Sequence, residues 1–336
     1  MSQWPESLSA LIEQGKPLVL ITIVDAKGSV PRGAGTKMIV TEQGLHHGTI
    51  GGGNLEYQCI EAAKQRLRAR GDGWLRKVER FPLGASLGQC CGGMVVVLFE
   101  NIEAVESKQP EWLAQLLEHK AARATVELIT PLNDPVKPKL VIAHQTLKSQ
   151  AQAVVKAFPS SDQQVAIQNK ECLVEIIAPN DFNIVVFGAG HVGRALVHVL
   201  SGLECEVTWV DSRADEFPES IPDNVMKVVD PNPEDTVETV PANSYFVVLT
   251  HSHNLDQLLC EQIVRRGDFR FCGLIGSKSK RSKFEHRMRA KGFSEQQIAS
   301  LTCPIGISSL SGKQPGHIAI AVAAQLLAIH EAVLMS

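Results

Sequence analysis

Short apolar runs broken by glycine and polar turns dominate the chain, and their grammar changes about halfway along. Leu18–Val24 is rich in β-branched residues and predicts a strand. Thr36–Val40 and Leu45–Ile50 flank Thr41-Glu42-Gln43-Gly44, which reads as a hairpin turn. Asn54–Arg70 carries helical spacing and closes at Gly71-Asp72-Gly73. Strands follow over Trp74–Phe81 and Met94–Glu100, then a helix over Pro110–His119, then strands over Ala124–Ile129 and Lys139–His144. The pattern predicts a mixed α+β domain over 1–150. Beyond it the chain turns polar, and 151–180 reads as a linker with one connecting strand, Cys172–Ala178.

From 181 to 336 the chain alternates instead. Apolar strands at Asn183–Phe187, Glu206–Val210, Asn224–Val229, Tyr245–Leu249 and Phe271–Ile275 are separated by helices at His191–Ser201, Asn254–Arg266 and Ser279–Lys291. Strands of this kind between helices of this length predict a doubly wound parallel sheet covered on both faces, a Rossmann-like α/β domain. Ile318–Ile329, twelve residues that are apolar apart from Gln325, is too short for a bilayer and reads as a buried helix.

Composition narrows the classes without choosing among them. A chain of 336 residues suggests about two domains, and 44% apolar with 21% charged residues is a globular mixture. A net charge of −3 and 5% aromatics give neither a basic footprint nor stacking platforms for nucleic acid, so no nucleic-acid partner is expected. The first residues lack the basic and apolar regions of a signal peptide, and no membrane association is expected. Eight cysteines spread over such a chain read as free thiols in a cytoplasmic protein.

Candidate chemistry concentrates in glycine-rich loops. Gly188-Ala189-Gly190-His191-Val192-Gly193 fits GxGxxG, follows an apolar strand and opens a helix, where backbone N–H groups face an anion. Asp211 ends the next strand, where an acid commonly holds a ribose hydroxyl. A nucleotide site is one reading; a scaffold whose site has been reassigned is the other. In the first half, 28–37 contains Gly28, Gly33 and Gly35 with Arg32 and Lys37, and Gly51-Gly52-Gly53-Asn54 leads into a helix. Bare amides there, a bidentate Arg32 and the point charge of Lys37 would suit an anionic ligand. The plain alternative is a pair of tight connections with solvated side chains.

Gln89-Cys90-Cys91-Gly92-Gly93 sets two adjacent thiols on a thin loop, suited to a soft metal or to sulfur chemistry. Cys172, Cys205, Cys260 and Cys272 read as small buried hydrophobes, and Cys59 is open to either reading. His251 and His253 end a strand, but against an HxHxDH metal site the acid, Asp256, comes one residue late and no histidine follows it; His251 is expected to line a pocket. Lys278, Lys280, Arg281, Lys283, Arg287 and Arg289 make a basic helix that reads first as a solvated face.

Together these stretches resemble the XdhC/CoxI family of xanthine dehydrogenase accessory proteins: GSVPRGAGTKM (28–38), GTIGGGNLE (48–56), LGQCCGG (87–93), FGAGHVGRAL (187–196), VDSR (210–213), LTHSHNLD (249–256), LIGSKSKRSKF (274–284) and CPIG (303–306). The resemblance runs from about 18 to 330. It implies a chaperone rather than a catalyst, with the molybdenum cofactor (molybdopterin) as cargo. The cargo would be protected, sulfurated with a cysteine desulfurase as partner, and inserted into apo xanthine dehydrogenase; a homodimer is also expected. On this reading Arg32, Lys37, Gly51, Gly52, Gly53, Asn54 and Gln89 contact the cargo, with Cys90 or Cys91 at its molybdenum. Gly188, Gly190, His191, Gly193, Asp211 and His251 form a second binding region, with room for NAD(P) or another nucleotide. Many relatives carry a cysteine where this chain has Asn54, which puts the metal contact on Cys90 and Cys91. The competing reading is an NAD(P)-dependent oxidoreductase built on the Rossmann loop and Asp211.

Overall fold

Two compact units, Met1–Pro179 and Asn180–Ser336, make up the chain in the computed structural model. The structure describes residues 4–69, 76–83, 93–102, 109–132, 139–142, 153–157 and 171–334.

In the first unit, β1 (Leu18–Lys27) is apolar on both faces because both are covered. It lies at the centre of a five-stranded antiparallel sheet with β2 (Lys37–Thr41), β3 (Gly44–Gly48), β4 (Arg76–Pro82) and β5 (Met94–Ile102), in the order β3-β2-β1-β5-β4. Val19, Ile21 and Ile23 pack under α2 (Gly53–Arg68). That helix buries Leu55, Cys59, Ala63 and Leu67, a stripe at four-residue spacing that sets its orientation. Leu18 and Leu20 on the opposite face meet Trp4, Leu8 and Leu11 of α1 (Trp4–Glu13) and Trp112, Leu113 and Leu116 of α3 (Glu111–Ala121).

A second antiparallel sheet, β7-β6-β9-β8, is built from β6 (Val126–Pro131), β7 (Lys139–Ile142), β8 (Ala153–Ala157) and β9 (Glu171–Ile177). Val24 and Leu98 of the first sheet meet Leu173 of the second. The segment 151–180 therefore contributes two paired strands to the first unit, which ends at Pro179, where a linker and one connecting strand were expected.

The second unit is the expected parallel sheet. It holds β10 (Asn183–Phe187), β11 (Glu206–Asp211), β12 (Val225–Val229), β13 (Tyr245–Val248), β14 (Phe271–Leu274) and β15 (Leu301–Thr302), in the order β12-β11-β10-β13-β14-β15. Counted from β10 this is 3-2-1-4-5-6, the dinucleotide-binding order, with the reversal of direction between β10 and β13. The helices are α4 (His191–Leu200), α5 (Thr236–Thr239), α6 (His253–Arg266), α7 (Lys278–Ala290), α8 (Glu295–Ala299) and α9 (Pro315–Leu334). At 20 residues α9 is longer than the twelve-residue apolar stretch read from sequence, and by length and composition alone it could cross a bilayer. Here it packs against α4, with Ala319, Val322, Ala323 and Leu326 buried in the core.

Candidate functional site

Strand register brings the N-terminal glycine loops to one end of the five-stranded sheet. Lys27 at the end of β1 lies opposite Met94 at the start of β5, and Pro82 at the end of β4 lies opposite the same Met94. On the other side of β1, β2 begins at Lys37 and its Met38 lies opposite Gly48, the end of β3. Residues 28–36 and 49–52 therefore leave the sheet at the same end, where Leu83 and Gly93 also lie.

Close packing joins them further. A Cβ on Gly51, whose φ of +117° already favours glycine, would lie 2.5 Å from Pro31 Cβ, and Arg32 Cγ is also within reach at 3.4 Å. A Cβ on Gly93 would meet Ser29 O at 2.5 Å and Lys27 O at 2.6 Å. The Leu83 N–H donates to Gly93 O at 2.8 Å and closes the base of the hairpin between β4 and β5. Gln89, Cys90 and Cys91, expected to contact the cargo, lie outside the described residues. Arg32 is exposed and makes no ion pair among the described residues. Gly53 and Asn54 are exposed at the start of α2.

Two expectations at this site are corrected. Lys37 does not offer its charge to a ligand. It is buried, and its Nζ donates to Glu175 Oε1 at 2.6 Å and to Thr22 Oγ1 at 3.1 Å, with the Trp4 ring 5.2 Å away. Position 37 faces the second sheet, where an unpaired ammonium would be costly and β9 supplies its carboxylate. Burial pushes the Glu175 carboxyl up, against the pull of Lys37. Nor are the amides of Gly51 and Gly52 bare. Gly51 N donates to Thr49 Oγ1 at 3.1 Å, and Gly52 N and Ile50 N donate to Glu56 Oε2 at 3.1 and 3.0 Å. Glu56, in the first turn of α2, places a carboxylate of the chain itself where an external anion was expected. An acid one turn into a helix after glycines is a signal that sequence reading could have used.

Cys59 is settled by its surroundings. It is buried under the sheet, and desolvation, reinforced by Glu79 and Glu56, pushes its thiol up to about 12. It stays a neutral core thiol rather than a thiolate ligand. Cys172, Cys205, Cys260 and Cys272 are likewise buried.

In the Rossmann unit the three loop glycines do different work. A Cβ on Gly193 would stand 2.0 Å from Gly188 O, and one on Gly188 would stand 2.5 Å from Leu249 O, so both are demanded by packing. A Cβ on Gly190 would meet nothing within 4 Å, so the space before α4 is open. His191 and His251 are exposed. The 250–253 loop is pinned by Asp256, the acid that comes one residue late for a metal motif. Fully buried Asp256 accepts from Thr250 N at 3.1 Å, Thr250 Oγ1 at 2.8 Å and Lys280 Nζ at 2.6 Å. Lys280 thus leaves the solvated face expected of the basic helix; Arg281 and Arg289 pair with Glu285 and Glu295. Among the described residues no group of three His, Cys, Asp or Glu side chains could hold a metal ion.

Asp211 ends β11 as expected, but its carboxylate faces inward. Its partners are the Ala189 N–H and both the backbone and side chain of Arg213. Burial works to raise this carboxyl, and the Arg213 side chain and the Ala189 and Arg213 N–H groups outweigh it, holding it below the usual carboxylate range. In the sequence Arg213 and Arg194 appeared only inside the VDSR and FGAGHVGRAL stretches, with no role assigned, and Glu216 was not noted.

Known proteins match this architecture in both units. The model for the XdhC and CoxI family matches residues 11–81, and that for the XdhC Rossmann domain matches 184–326. The chain is 21% identical over 344 residues to a probable xanthine dehydrogenase subunit of Bacillus subtilis (strain 168), covering 97% of each. It is 23% identical over 320 residues to "Uncharacterized protein YqeB" of Escherichia coli (strain K12), covering 95% of this chain but only 44% of that protein, so it spans less than half the length of that relative. The crystal structure of a xanthine dehydrogenase from Bacillus halodurans superposes with a TM-score of 0.73 at 20% identity, covering 99% of this chain and 96% of the other, a likeness of fold.

Proposed function

The chain belongs to the XdhC and CoxI family, and from that premise we propose that it is an accessory protein of xanthine dehydrogenase that carries the molybdenum cofactor as cargo. The cargo is a phosphorylated pterin dithiolene, which calls for cationic and backbone donors near its phosphate and tolerates soft sulfur near its metal. One observation supports the reading: the 28–36 and 49–52 loops leave one end of one sheet beside Leu83 and Gly93, with Gly51 packed on Pro31 and Gly93 on Ser29. Arg32 supplies a cationic donor there, and in sequence Cys90 and Cys91 fall between Leu83 and Gly93. Lys37 is outside this set. Sulfuration by a cysteine desulfurase, delivery to the apo-enzyme and a homodimeric state belong to the same proposal.

Purification from a host that makes the cofactor tests it, with molybdenum measured by mass spectrometry and pterin by the fluorescence of its oxidised form. Wild type is expected to retain both. Cys90→Ala/Cys91→Ala is expected to lose molybdenum, and Arg32→Ala to retain less pterin. Absence of both from wild type, or unchanged retention in both variants, overturns the proposal.

A further inference from the structure

In a dinucleotide-binding fold, the acid at the end of the second strand accepts hydrogen bonds from the adenosine ribose. Asp211 occupies that position, yet its acceptor capacity is already used. Oδ1 accepts the Arg213 N–H and Arg213 Nε, both at 3.0 Å. Oδ2 accepts the Ala189 N–H at 2.7 Å and Arg213 Nη2 at 2.9 Å. A carboxylate has about four lone-pair sites, so four donors fill it. The residue is also buried, at 4% exposure, whereas the Arg213 side chain above it is 36% exposed.

Arg213 is itself held in place. Its Nη1 donates to Glu216 Oε1 at 3.0 Å, and Glu216 Oε2 accepts Arg194 Nη2 at 2.7 Å. Arg194 Nε donates to Ala189 O at 3.1 Å and to Glu216 O at 2.8 Å. Both the N–H and the C=O of Ala189, the middle residue of the glycine loop, are thereby fixed by one ring of charges. A ribose arriving at this corner would bring two hydroxyl donors and meet a guanidinium, not an acceptor.

We propose that Arg213 is a specificity residue that plugs the ribose corner of the Rossmann crevice, so that the unit refuses NAD and NADH although its loop, strand order and acid are those of a dinucleotide site. The proposal is independent of the cargo reading and concerns only the second unit. Removing the Arg213 side chain frees two of the four acceptor sites on Asp211, the number a 2′,3′-diol requires, while the backbone N–H groups of Ala189 and Arg213 stay bound.

Titration of the full chain with NADH tests this, read by calorimetry and by energy transfer from tryptophan. Trp209 is a suitable donor because its Nε1 bonds to Gly188 O at 3.0 Å. Wild type is expected to show no saturable binding below about 1 mM, and Arg213→Ala to bind at least about tenfold more tightly. Arg213→Met keeps the aliphatic stem and serves if the alanine variant unfolds. Asp211→Asn placed on Arg213→Ala is expected to abolish the gain, and NADP, lacking the 2′-hydroxyl, to gain less than NAD. Micromolar NADH binding by wild type overturns the proposal. So does a folded Arg213 variant that binds no better, or a gain that survives Asp211→Asn.

Discussion

The two units use the same sequence device, a glycine-rich loop between a strand and a helix, and end in different states. Each loop binds a carboxylate of its own: Glu56 takes the amides of Ile50 and Gly52, and Asp211 takes the amide of Ala189. In the Rossmann unit that carboxylate is closed off again by Arg213, and the ring through Glu216 and Arg194 balances two positive and two negative charges. At the N-terminal loops Arg32 stands exposed without an ion pair among the described residues. A glycine-rich turn is thus not an anion hole by default. Where its N–H groups already go decides the matter.

The sharpest way to break this contrast is to return Lys37 to the ligand site. If it served a ligand, its loss would weaken cargo retention and spare the fold. The geometry requires the reverse. Lys37→Met strands Glu175 in the interior and is expected to destabilise the first unit by about 3–5 kcal/mol, measured by urea unfolding. Lys37→Met/Glu175→Leu removes both charges and is expected to recover most of that loss, with cargo retention as in wild type. A well-folded Lys37→Met that releases its cargo would restore the ligand role.

Next in size is a paired test on the Rossmann loop. Gly193→Ala forces a methyl to within 2.0 Å of Gly188 O, where backbone must move on both sides. A loss of about 1–3 kcal/mol or more is expected in the second unit. A Gly193→Ala protein as stable as wild type would show that α4 can slide away from β10.

Acid unfolding sharpens the same corner. The Asp211 carboxyl is held below its ordinary value, so its contribution is present above the unfolded value of about 4 and is lost as pH falls through the lower folded value. Arg213→Met removes the strongest of the lowering influences, so the acid midpoint of the second unit is expected to move to higher pH. An unchanged midpoint, followed by circular dichroism from pH 7 downward, would mean that the pair adds nothing to the folded state.

Much of the architecture was legible because it is local. Ile184–Phe187 is apolar throughout since both faces are covered, and the observed β10 has the expected bounds Asn183–Phe187. What escaped was either weakly patterned or non-local. Trp4, Leu8, Leu11 and Ile12 carry the spacing of a helix face, a signal present but not used. β8, Ala153–Ala157, is five residues inside a Gln-, Ser- and Lys-rich stretch, and only pairing with β9 makes it a strand. The site divides in the same way. Asp211 could be placed from its offset after the glycines, but the burial of Lys37 depends on Glu175, 138 residues away in sequence. No short-range pattern announces such a partner. Arg213 lay only two residues beyond the acid it fills, and its meaning comes from counting donors around one carboxylate.

The smallest expected effect on stability is also the most discriminating for ligand binding. Gly190 has φ −70° and ψ −171°, a conformation open to alanine, and a methyl there would meet no heavy atom within 4 Å. Reduced freedom in the unfolded chain favours alanine by about 0.4–1 kcal/mol, and alanine is the poorer residue at a helix N-cap by a similar amount. Gly190→Ala should therefore leave stability within about 0.5 kcal/mol of wild type. The same methyl would stand where a phosphate must approach the backbone. In the Arg213→Ala background it is expected to cancel the gain in NADH affinity with the melting temperature unchanged. If NADH still binds the doubly substituted protein, the dinucleotide does not reach the glycine loop. The plug would then guard a different part of the crevice.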